Sequence, residues 1–213
     1  IIITDNKAIQ DYVEKKYSVK SHLVAYGSDN VYKGEVLDLS NNYEFLTSDF
    51  AFKVCRVEPE NNLHLILKVF SSFTSYPLVI VGNWKNSKYG LNLKLKYQKF
   101  PNIFLIDPIY DQSILYSIRS KCTIYIHGHS AGGTNPSLVE AMYLGLPVIA
   151  FDVVYNRVTT ENKALYFNNY DELSAILKDI SKINLKKISS DLKSIAQKKY
   201  TWSSISEKYA KLF

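Results

Sequence analysis

The sequence predicts an α/β protein with a doubly wound parallel sheet. Two patterns in its 213 residues carry this prediction. Short apolar runs bounded by turn residues alternate with single segments of helical period, and this alternation is typical of βαβ units and therefore of parallel strands. The runs are apolar at nearly every position rather than at every second one, which indicates strands that helices cover on both faces.

Seven apolar runs are predicted as strands, and the segments between them as helices. The strands cover residues 23–26, 50–55, 78–81, 103–106, 123–127, 148–151 and 164–167. Between the second and third strands, Leu63, Ile66, Leu67 and Phe70 recur at helical spacing and form one apolar face. The same spacing predicts helices around residues 114–118 and 138–142.

The segment after residue 168 changes character, because no strand interrupts its helices. Helices are predicted over 171–180, 185–198 and 203–212, with the Asn168-Asn169 pair and Thr201 as N-caps of the first and third. The chain starts on an apolar run, Ile-Ile-Ile, with no preceding cap. We therefore expect residues 1–18 to be the tail of a preceding domain plus a linker, residues 19–198 to form the sheet domain, and residues 199–213 to form a terminal helix.

Composition places the chain among folded globular proteins. Hydrophobic residues make up 46% and charged residues 22% of it, which excludes a disordered chain. No apolar run approaches the roughly 20 residues of a membrane-spanning helix. Cys55 and Cys122 lie in apolar runs and are expected to be buried free thiols.

The net charge of +6 comes from lysines spaced as on solvated helix faces; a weak attraction to anionic lipid or to a phosphate-bearing ligand is the alternative. Nothing resembles a nucleic-acid-binding module.

The most informative segment covers residues 127–142, His-Gly-His-Ser-Ala-Gly-Gly-Thr-Asn-Pro-Ser-Leu-Val-Glu-Ala-Met. It follows a predicted strand and leads into a helix that starts near Ser137. Its backbone N–H groups therefore lie at the positive end of a helix, where parallel α/β sheets bind phosphate. The alternative is an ordinary tight turn before a helix. The residues expected to contact a phosphate-bearing ligand are Gly132, Gly133, Thr134, Asn135, Ser137 and Leu138.

Two charged residues near this loop are candidates for direct roles. Glu140 falls one turn inside the helix, and its carboxylate could accept hydrogen bonds from the hydroxyls of a ribose or deoxyribose ring; the alternative is a first-turn Glu that complements the helix dipole. Arg56 follows a strand at the carboxyl edge of the sheet, where open α/β sheets bind ligands. Its guanidinium could stabilise a leaving diphosphate, and the alternative is a surface salt bridge.

His127 and His129 flank one glycine at the start of the loop. Two histidines at this spacing, without a cysteine or carboxylate at ligand distance in the sequence, do not make a metal site, so no metal is expected. His129 is expected to hydrogen-bond the ligand or the loop. His127 is expected to pack beneath it.

The order of these motifs resembles the C-terminal half of a GT-B glycosyltransferase, specifically the large family 4 of retaining enzymes. The matching segments are Phe-Lys-Val-Cys-Arg-Val-Glu-Pro-Glu-Asn-Asn (52–62), Leu-Val-Ile-Val-Gly (78–82), Asn-Ile-Phe-Leu-Ile-Asp (102–107), the counterpart of the family's Glu-x7-Glu motif (132–140), Ala-Met-Tyr-Leu-Gly-Leu-Pro-Val (141–148) and Tyr-Thr-Trp (200–202). The resemblance covers essentially the whole chain. It implies a Rossmann-like nucleotide-sugar-binding domain whose terminal helix crosses back to an N-terminal domain.

The resemblance also implies roles that spacing alone does not assign. The loop with Ile109 and Tyr110 corresponds to the family loop that holds the base, although a surface tyrosine is the alternative for Tyr110. Asn156 and Arg157 correspond to a donor-site loop. Two positions depart from the family. Asn61 stands where the family has a phosphate-binding Lys, and Gly132 stands where it has a Glu that meets donor-sugar hydroxyls.

Within the family, residues 127–141 and 152–161 most resemble the bacterial rhamnosyltransferases of capsule and O-antigen assembly. This implies transfer of rhamnose from dTDP-rhamnose to a surface polysaccharide precursor, with a glycan or lipid-linked glycan acceptor on the N-terminal domain. It implies no cofactor besides the nucleotide-sugar substrate, and a cytoplasmic protein with at most peripheral contact with the inner face of the membrane. The chain alone is expected to be inactive. A non-catalytic nucleotide-sugar-binding module and a GT-B-type sugar-nucleotide epimerase stay open as alternatives.

Overall fold

The computed structural model describes residues 1–213 and contains a six-stranded parallel sheet. The strands are β3 (Ala51–Val54), β4 (Leu78–Val81), β5 (Ile103–Ile106), β6 (Ile124–His127), β7 (Val148–Phe151) and β8 (Leu165–Phe167). Their order in the sheet is β5-β4-β3-β6-β7-β8, so the chain runs from the centre to one edge and then continues on the other side of β3. The predicted doubly wound parallel sheet is confirmed. The order reverses between β3 and β6, which leaves a crevice at their carboxyl ends.

Helices cover both faces of this sheet, as the continuous apolar strands require. They are α2 (Leu63–Ser72), α3 (Lys88–Tyr97), α4 (Gln112–Lys121), α5 (Pro136–Tyr143), α7 (Tyr170–Lys178) and α8 (Leu185–Lys199). One apolar core lies between the sheet and α2, α3 and α7, and the other lies between the sheet and α4, α5 and α8. Leu63, Ile66, Leu67 and Phe70, the predicted apolar face of α2, are all fully buried. Each such side chain contributes about 1.5–3 kcal/mol of burial free energy.

The N-terminal segment forms a small sheet of its own. β1 (Ile3–Thr4) and β2 (His22–Leu23) flank α1 (Lys7–Tyr17) and pair in parallel with each other. The run predicted as a strand at 23–26 therefore does not join the six-stranded sheet, and only its first residue lies in a strand. Asn6, the N-cap of α1, donates from Nδ2 to Thr159 Oγ1 over 3.2 Å. This bond ties the segment to α6 (Val154–Thr159), a short helix that the sequence does not predict.

The C-terminal helices agree closely with the prediction, and α9 (Trp202–Ala210) ends the chain. Asn169 caps α7, since its Oδ1 accepts a bond of 3.0 Å from the N–H of Glu172. Thr201 caps α9 in the same way through Ser204. Both cysteines are free thiols. No helix combines the length and apolar character that a membrane crossing would need.

Candidate functional site

A cleft of about 460 Å³ opens at the crevice between β3 and β6. The end of β3 and the turn after it, one face of α4, and the loop from β6 into α5 form its walls. The lining residues are Val54, Cys55, Arg56, Asn61, Gln112, Leu115, Arg119, His129, Asn135, Pro136, Ser137 and Glu140. Arg56, His129, Asn135, Ser137 and Glu140 were all predicted from the sequence, and the fold brings them together here.

The N-terminus of α5 points into this cleft. Pro136 is the first helical residue, where its missing N–H leaves no helix bond unmade. Asn135 is the N-cap, and its Oδ1 accepts from the N–H of Ser137 at 3.0 Å and from Ser137 Oγ at 2.8 Å. The N–H of Leu138 donates to the carbonyl of Asn135 over 3.1 Å, while the Leu138 side chain is buried in the core. Asn135 therefore occupies the N–H groups of Ser137 and Leu138, two residues expected from the sequence to contact a phosphate-bearing ligand.

Gly132 and Gly133 determine the backbone path of the loop and do not line the cleft. Gly132 has a φ of +82°, in the region that favours glycine, and open space surrounds the position of a Cβ there. A Cβ on Gly133 would collide with the carboxylate of Asp5. Thr134 is buried, and its Oγ1 donates to the Asp5 carbonyl over 2.6 Å. Gly133 and Thr134 thus pack against the N-terminal segment, on the side of the loop away from the cleft.

Polar bonds to the segment after β3 anchor the start of the same loop. Asn62 Nδ2 donates to the carbonyl of Gly128 over 2.8 Å. Ser130 donates twice to the carbonyl of Glu60, from its N–H at 2.9 Å and from its Oγ at 3.0 Å. A Cβ on Gly128 would overlap the carbonyl oxygen of Asn61. This close backbone approach explains why the position between the two histidines is glycine.

Arg56 and Asn61 stand on the β3 side of the cleft. The Arg56 side chain is 75% exposed, and its Nη1 lies 3.6 Å from Glu58 Oε2. An ion pair that exposed contributes little to stability, so the guanidinium is free to meet a ligand. Asn61 is buried, and its Nδ2 donates to the carbonyl of Arg56 over 2.9 Å. Asn61 therefore holds the backbone that carries Arg56.

Glu140 is paired with an arginine that sequence reasoning missed. Arg119 Nη1 donates to Glu140 Oε2 over 3.1 Å, and the Arg119 side chain is only 5% exposed against 31% for Glu140. The sequence does contain a signal for Arg119. It lies one helical turn after Leu115, on the apolar face of α4, where an unpaired charge would be unfavourable. A charged residue on such a face indicates a buried partner.

The two histidines differ in environment. His127 is 1% exposed, its ring lies 6.3 Å from that of Tyr125, and neither of its ring nitrogens has a hydrogen-bond partner. Burial lowers the pKa of His127 well below its usual value, and nearby Lys53 and His129 act in the same direction. His129 lines the cleft, and partial burial lowers its pKa too. Lys53 is itself buried, which lowers the pKa of its amine.

Besides Gly132, Gly133, Thr134 and Leu138, four further predicted residues do not line the cleft. Tyr110 is 84% exposed, and Ile109 packs at the margin of the core. Asn156 is buried, and its Nδ2 donates to the carbonyls of His129 at 2.9 Å and Phe151 at 2.8 Å, so it supports the loop from below. Arg157 forms two bonds with Asp152, of 2.5 Å and 2.7 Å. Its guanidinium also lies 4.2 Å from the centre of the Tyr166 ring.

The arrangement suits an anionic, hydroxyl-bearing ligand. The cleft carries two guanidinium groups and a helix N-terminus, and Glu140 is the one carboxylate among its lining residues. Cations and a helix N-terminus favour phosphate, while a carboxylate accepts hydroxyls. No group of three His, Cys, Asp or Glu side chains lies close enough together to hold a metal ion.

Comparison with known proteins gives a consistent result. The sequence model of the family described as "Glycosyl transferases group 1" matches residues 39–199, which is most of the chain and includes every residue that lines the cleft. No curated protein matches.

Many solved structures share the fold. Sucrose-phosphate synthase from Thermosynechococcus elongatus matches with a TM-score of 0.82 at 15% identity, over 99% of this chain and 56% of that one. Anabaena Alr3699/HepE in complex with UDP-glucose matches with a TM-score of 0.83 at 16% identity, over 100% of this chain and 63% of that one. The pneumococcal O-GlcNAc transferase GtfA, in complex with UDP and GlcNAc, matches with a TM-score of 0.71 at 17% identity, over 99% and 44%. The chain therefore spans little more than half the length of the first two.

Proposed function

Because the chain belongs to the glycosyl transferases group 1 family, we propose that it is the donor-binding half of an enzyme that transfers rhamnose from dTDP-rhamnose to a precursor of a bacterial surface polysaccharide. One observation carries the proposal. A single cleft joins the N-terminus of α5, the exposed guanidinium of Arg56 and the carboxylate of Glu140. The helix N-terminus and Arg56 match the diphosphate of such a donor, and Glu140 matches its nucleoside sugar.

Arg56 is proposed to stabilise the leaving diphosphate. Negative charge develops on the diphosphate oxygen as its bond to the sugar breaks, and a preplaced cation lowers the free energy of that transition state. The α5 N-terminus adds partial positive charge on the same ligand. For its N–H groups to reach the diphosphate, Asn135 has to release both of them, Ser137 from its side chain and Leu138 from its carbonyl. Charge neutralisation would then need no metal ion.

Glu140 is proposed to bind the nucleoside sugar. The structure records no hydrogen bond to its Oε1, while Oε2 is held by Arg119. The absence of further carboxylates in the cleft favours transfer over epimerisation, which needs acid and base groups beside the sugar. Gly132, in place of the family's first Glu, leaves the donor sugar without that carboxylate, and we take this as support for a deoxy-hexose such as rhamnose.

The acceptor is proposed to bind on a further domain. We propose that residues 1–18 continue that domain and that residues 199–213 return toward it. A largely apolar cavity of about 420 Å³ supports this arrangement, with Ile3, Ile9, Val24, Tyr26, Trp202 and Tyr209 among its lining residues. A glycan or lipid-linked glycan acceptor would place the enzyme in the cytoplasm, with peripheral contact at the inner face of the membrane.

Calorimetric titration of the chain with dTDP, UDP and GDP tests the donor assignment. We expect dTDP to bind most tightly and Glu140→Gln to weaken its binding by about 10- to 100-fold, because a charged hydrogen bond is lost. Glu207→Gln is the matched control, since Glu207 is an exposed helical glutamate on α9, away from the cleft. Equal indifference to all three nucleotides, or unchanged binding by Glu140→Gln, would contradict the assignment.

Turnover distinguishes the enzyme from its alternatives. In the full-length protein, dTDP release from dTDP-rhamnose in the presence of acceptor should fall at least about 100-fold in Arg56→Ala, the scale seen when one transition-state donor is removed. Binding without turnover in the unsubstituted protein would favour a non-catalytic module. An altered sugar still attached to dTDP would favour an epimerase.

A further inference from the structure

We propose that the Arg119–Glu140 pair makes the nucleoside subsite select 2′-deoxyribose over ribose. This inference rests on the proposed function, since it assumes that a nucleoside diphosphate occupies the cleft, and it adds a residue that determines which nucleoside is accepted. Arg119 is one of the lining residues and is nearly buried, whereas Arg56 at the other wall is largely exposed. The two guanidinium groups therefore have different surroundings, and we assign them different roles.

The pairing leaves Glu140 with one free oxygen. Oε2 accepts from Arg119 Nη1 at 3.1 Å, and Oε1 accepts no hydrogen bond within the protein. A carboxylate with both oxygens open can accept the two neighbouring hydroxyls of a ribose, one on each oxygen. Arg119 already occupies one lone pair of Oε2, so Oε1 is the only carboxylate oxygen that need not be shared, and this arrangement best matches a sugar that presents one hydroxyl on this edge. A 2′-deoxyribose presents only its 3′-hydroxyl.

Arg119 cannot easily give way to a second hydroxyl. Its side chain is 5% exposed, its Nε is already buried without a partner, and Glu140 is its one recorded ion-pair partner. Displacing it from Oε2 would leave a buried cation uncompensated, which is strongly unfavourable. If Arg119 stays, the 2′-hydroxyl of a ribose loses water on entering the cleft and has to share Oε2 with the guanidinium, a poorer acceptor than an unshared carboxylate oxygen, which is also unfavourable. Both routes disfavour ribose.

Four nucleotides test the inference without confusing the sugar with the base. UDP and dUDP differ only at the 2′ position, as do 5-methyl-UDP and dTDP. Calorimetric titration of the unsubstituted chain should show a preference for the deoxy member of about tenfold in both pairs, the ratio that one unmatched polar group produces. In Arg119→Met the preference should fall to near one or reverse, because Glu140 regains both oxygens.

Matched variants separate selection from loss of structure. Lys121→Met changes an exposed charge on the same helix and should leave the ratio unchanged. Arg119→Gln removes the cation while keeping a polar side chain, and it should lose the preference as Arg119→Met does. Equal or tighter binding of UDP than dUDP by the unsubstituted chain would overturn the inference, and so would a deoxy preference that survives in a folded Arg119 variant. Failure of all four nucleotides to bind would overturn the proposed function itself, and the inference with it.

Discussion

Mild acid should destabilise this protein through His127. The side chain is 1% exposed at the end of β6, and both ring nitrogens lack partners. The titratable groups that face it are Lys53, His129 and Tyr125, and none of them supplies a negative charge at neutral pH. Protonated His127 would therefore be a buried cation with no counter-charge. Burial, the largest cause, holds its pKa well below the usual 6.5.

The sign and size of the effect follow from proton linkage. Between the lowered pKa of the folded state and 6.5, the unfolded chain binds one more proton at this site than the folded chain does. The free energy of unfolding therefore falls as pH falls, by about 1.4 kcal/mol per unit once the unfolded site is fully protonated. From pH 7.5 to 5.0 the site alone removes at most about 2 kcal/mol, the value for a folded site that stays unprotonated over this range. That is a large fraction of the 5–15 kcal/mol typical of a folded domain.

Urea unfolding at pH 7.5, 6.5, 5.8 and 5.0 measures this dependence, and the fluorescence of buried Trp84 reports the transition. His127→Leu keeps an apolar side chain of similar size and should remove most of the predicted 2 kcal/mol loss. His22→Leu is the control, because His22 is exposed on β2 and its replacement should leave the slope unchanged. The residual slope in His127→Leu is assigned to His129 and Lys53, whose pKa values are also lowered. An unchanged slope in His127→Leu would refute the reasoning.

Two further substitutions test the packing beneath the cleft. Lys53→Met should raise the free energy of unfolding by about 1–3 kcal/mol at pH 7 in urea melts, because burial lowers the pKa of the amine from 10.5 and every pH below 10.5 favours the unfolded, protonated form. The control Lys186→Met replaces an exposed lysine and should change this free energy by less than about 0.5 kcal/mol. A Lys53→Met variant less stable than the unsubstituted protein would contradict the prediction. Gly128→Ala should lower thermal stability and weaken dTDP binding, because its Cβ would push on a backbone carbonyl of the cleft wall. Gly132→Ala places its Cβ in open space, so it should lower the free energy of unfolding by only about 1–2 kcal/mol, the strain of a positive φ, and leave dTDP binding nearly intact. Equal losses of binding in the two alanine variants would contradict this prediction.

The main sheet was predictable because its signals are local. Each central strand is a short apolar run, and each α helix that packs on the sheet carries its own apolar face or cap, as Asn169 does for α7. The first segment was not predictable in the same way. The run at 23–26 looks like the other strands, but its pairing is decided by Thr4 and by the contact between α1 and α6. Such long-range pairing cannot be read from the spacing of apolar residues in the sequence.

The site was predictable to the extent that it depends on strand ends. Arg56, His129 and Glu140 all follow strands of one parallel sheet, so topology alone brings them to the same edge. The side of the loop that each residue faces depends on packing. Thr134 turns toward Asp5 instead of the cleft, and this contact requires the N-terminal segment to lie against the loop. Arg119 joins the site only because the rotation of α4 aims it at Glu140.

The loop between β6 and α5 is held from three directions before any ligand arrives. Asn62 and the Glu60 carbonyl fix it from the β3 side, Asn156 supports the carbonyl of His129 from below, and Asp5 receives the hydroxyl of Thr134 from the N-terminal segment. A loop fixed in this way presents its groups without the entropy cost of ordering them on binding. Hydrogen bonds from asparagine and serine side chains to backbone carbonyls therefore hold much of this loop in place. Their part is to place the helix N-terminus and Glu140, so that the fold fixes the positions of the charged groups around the cleft.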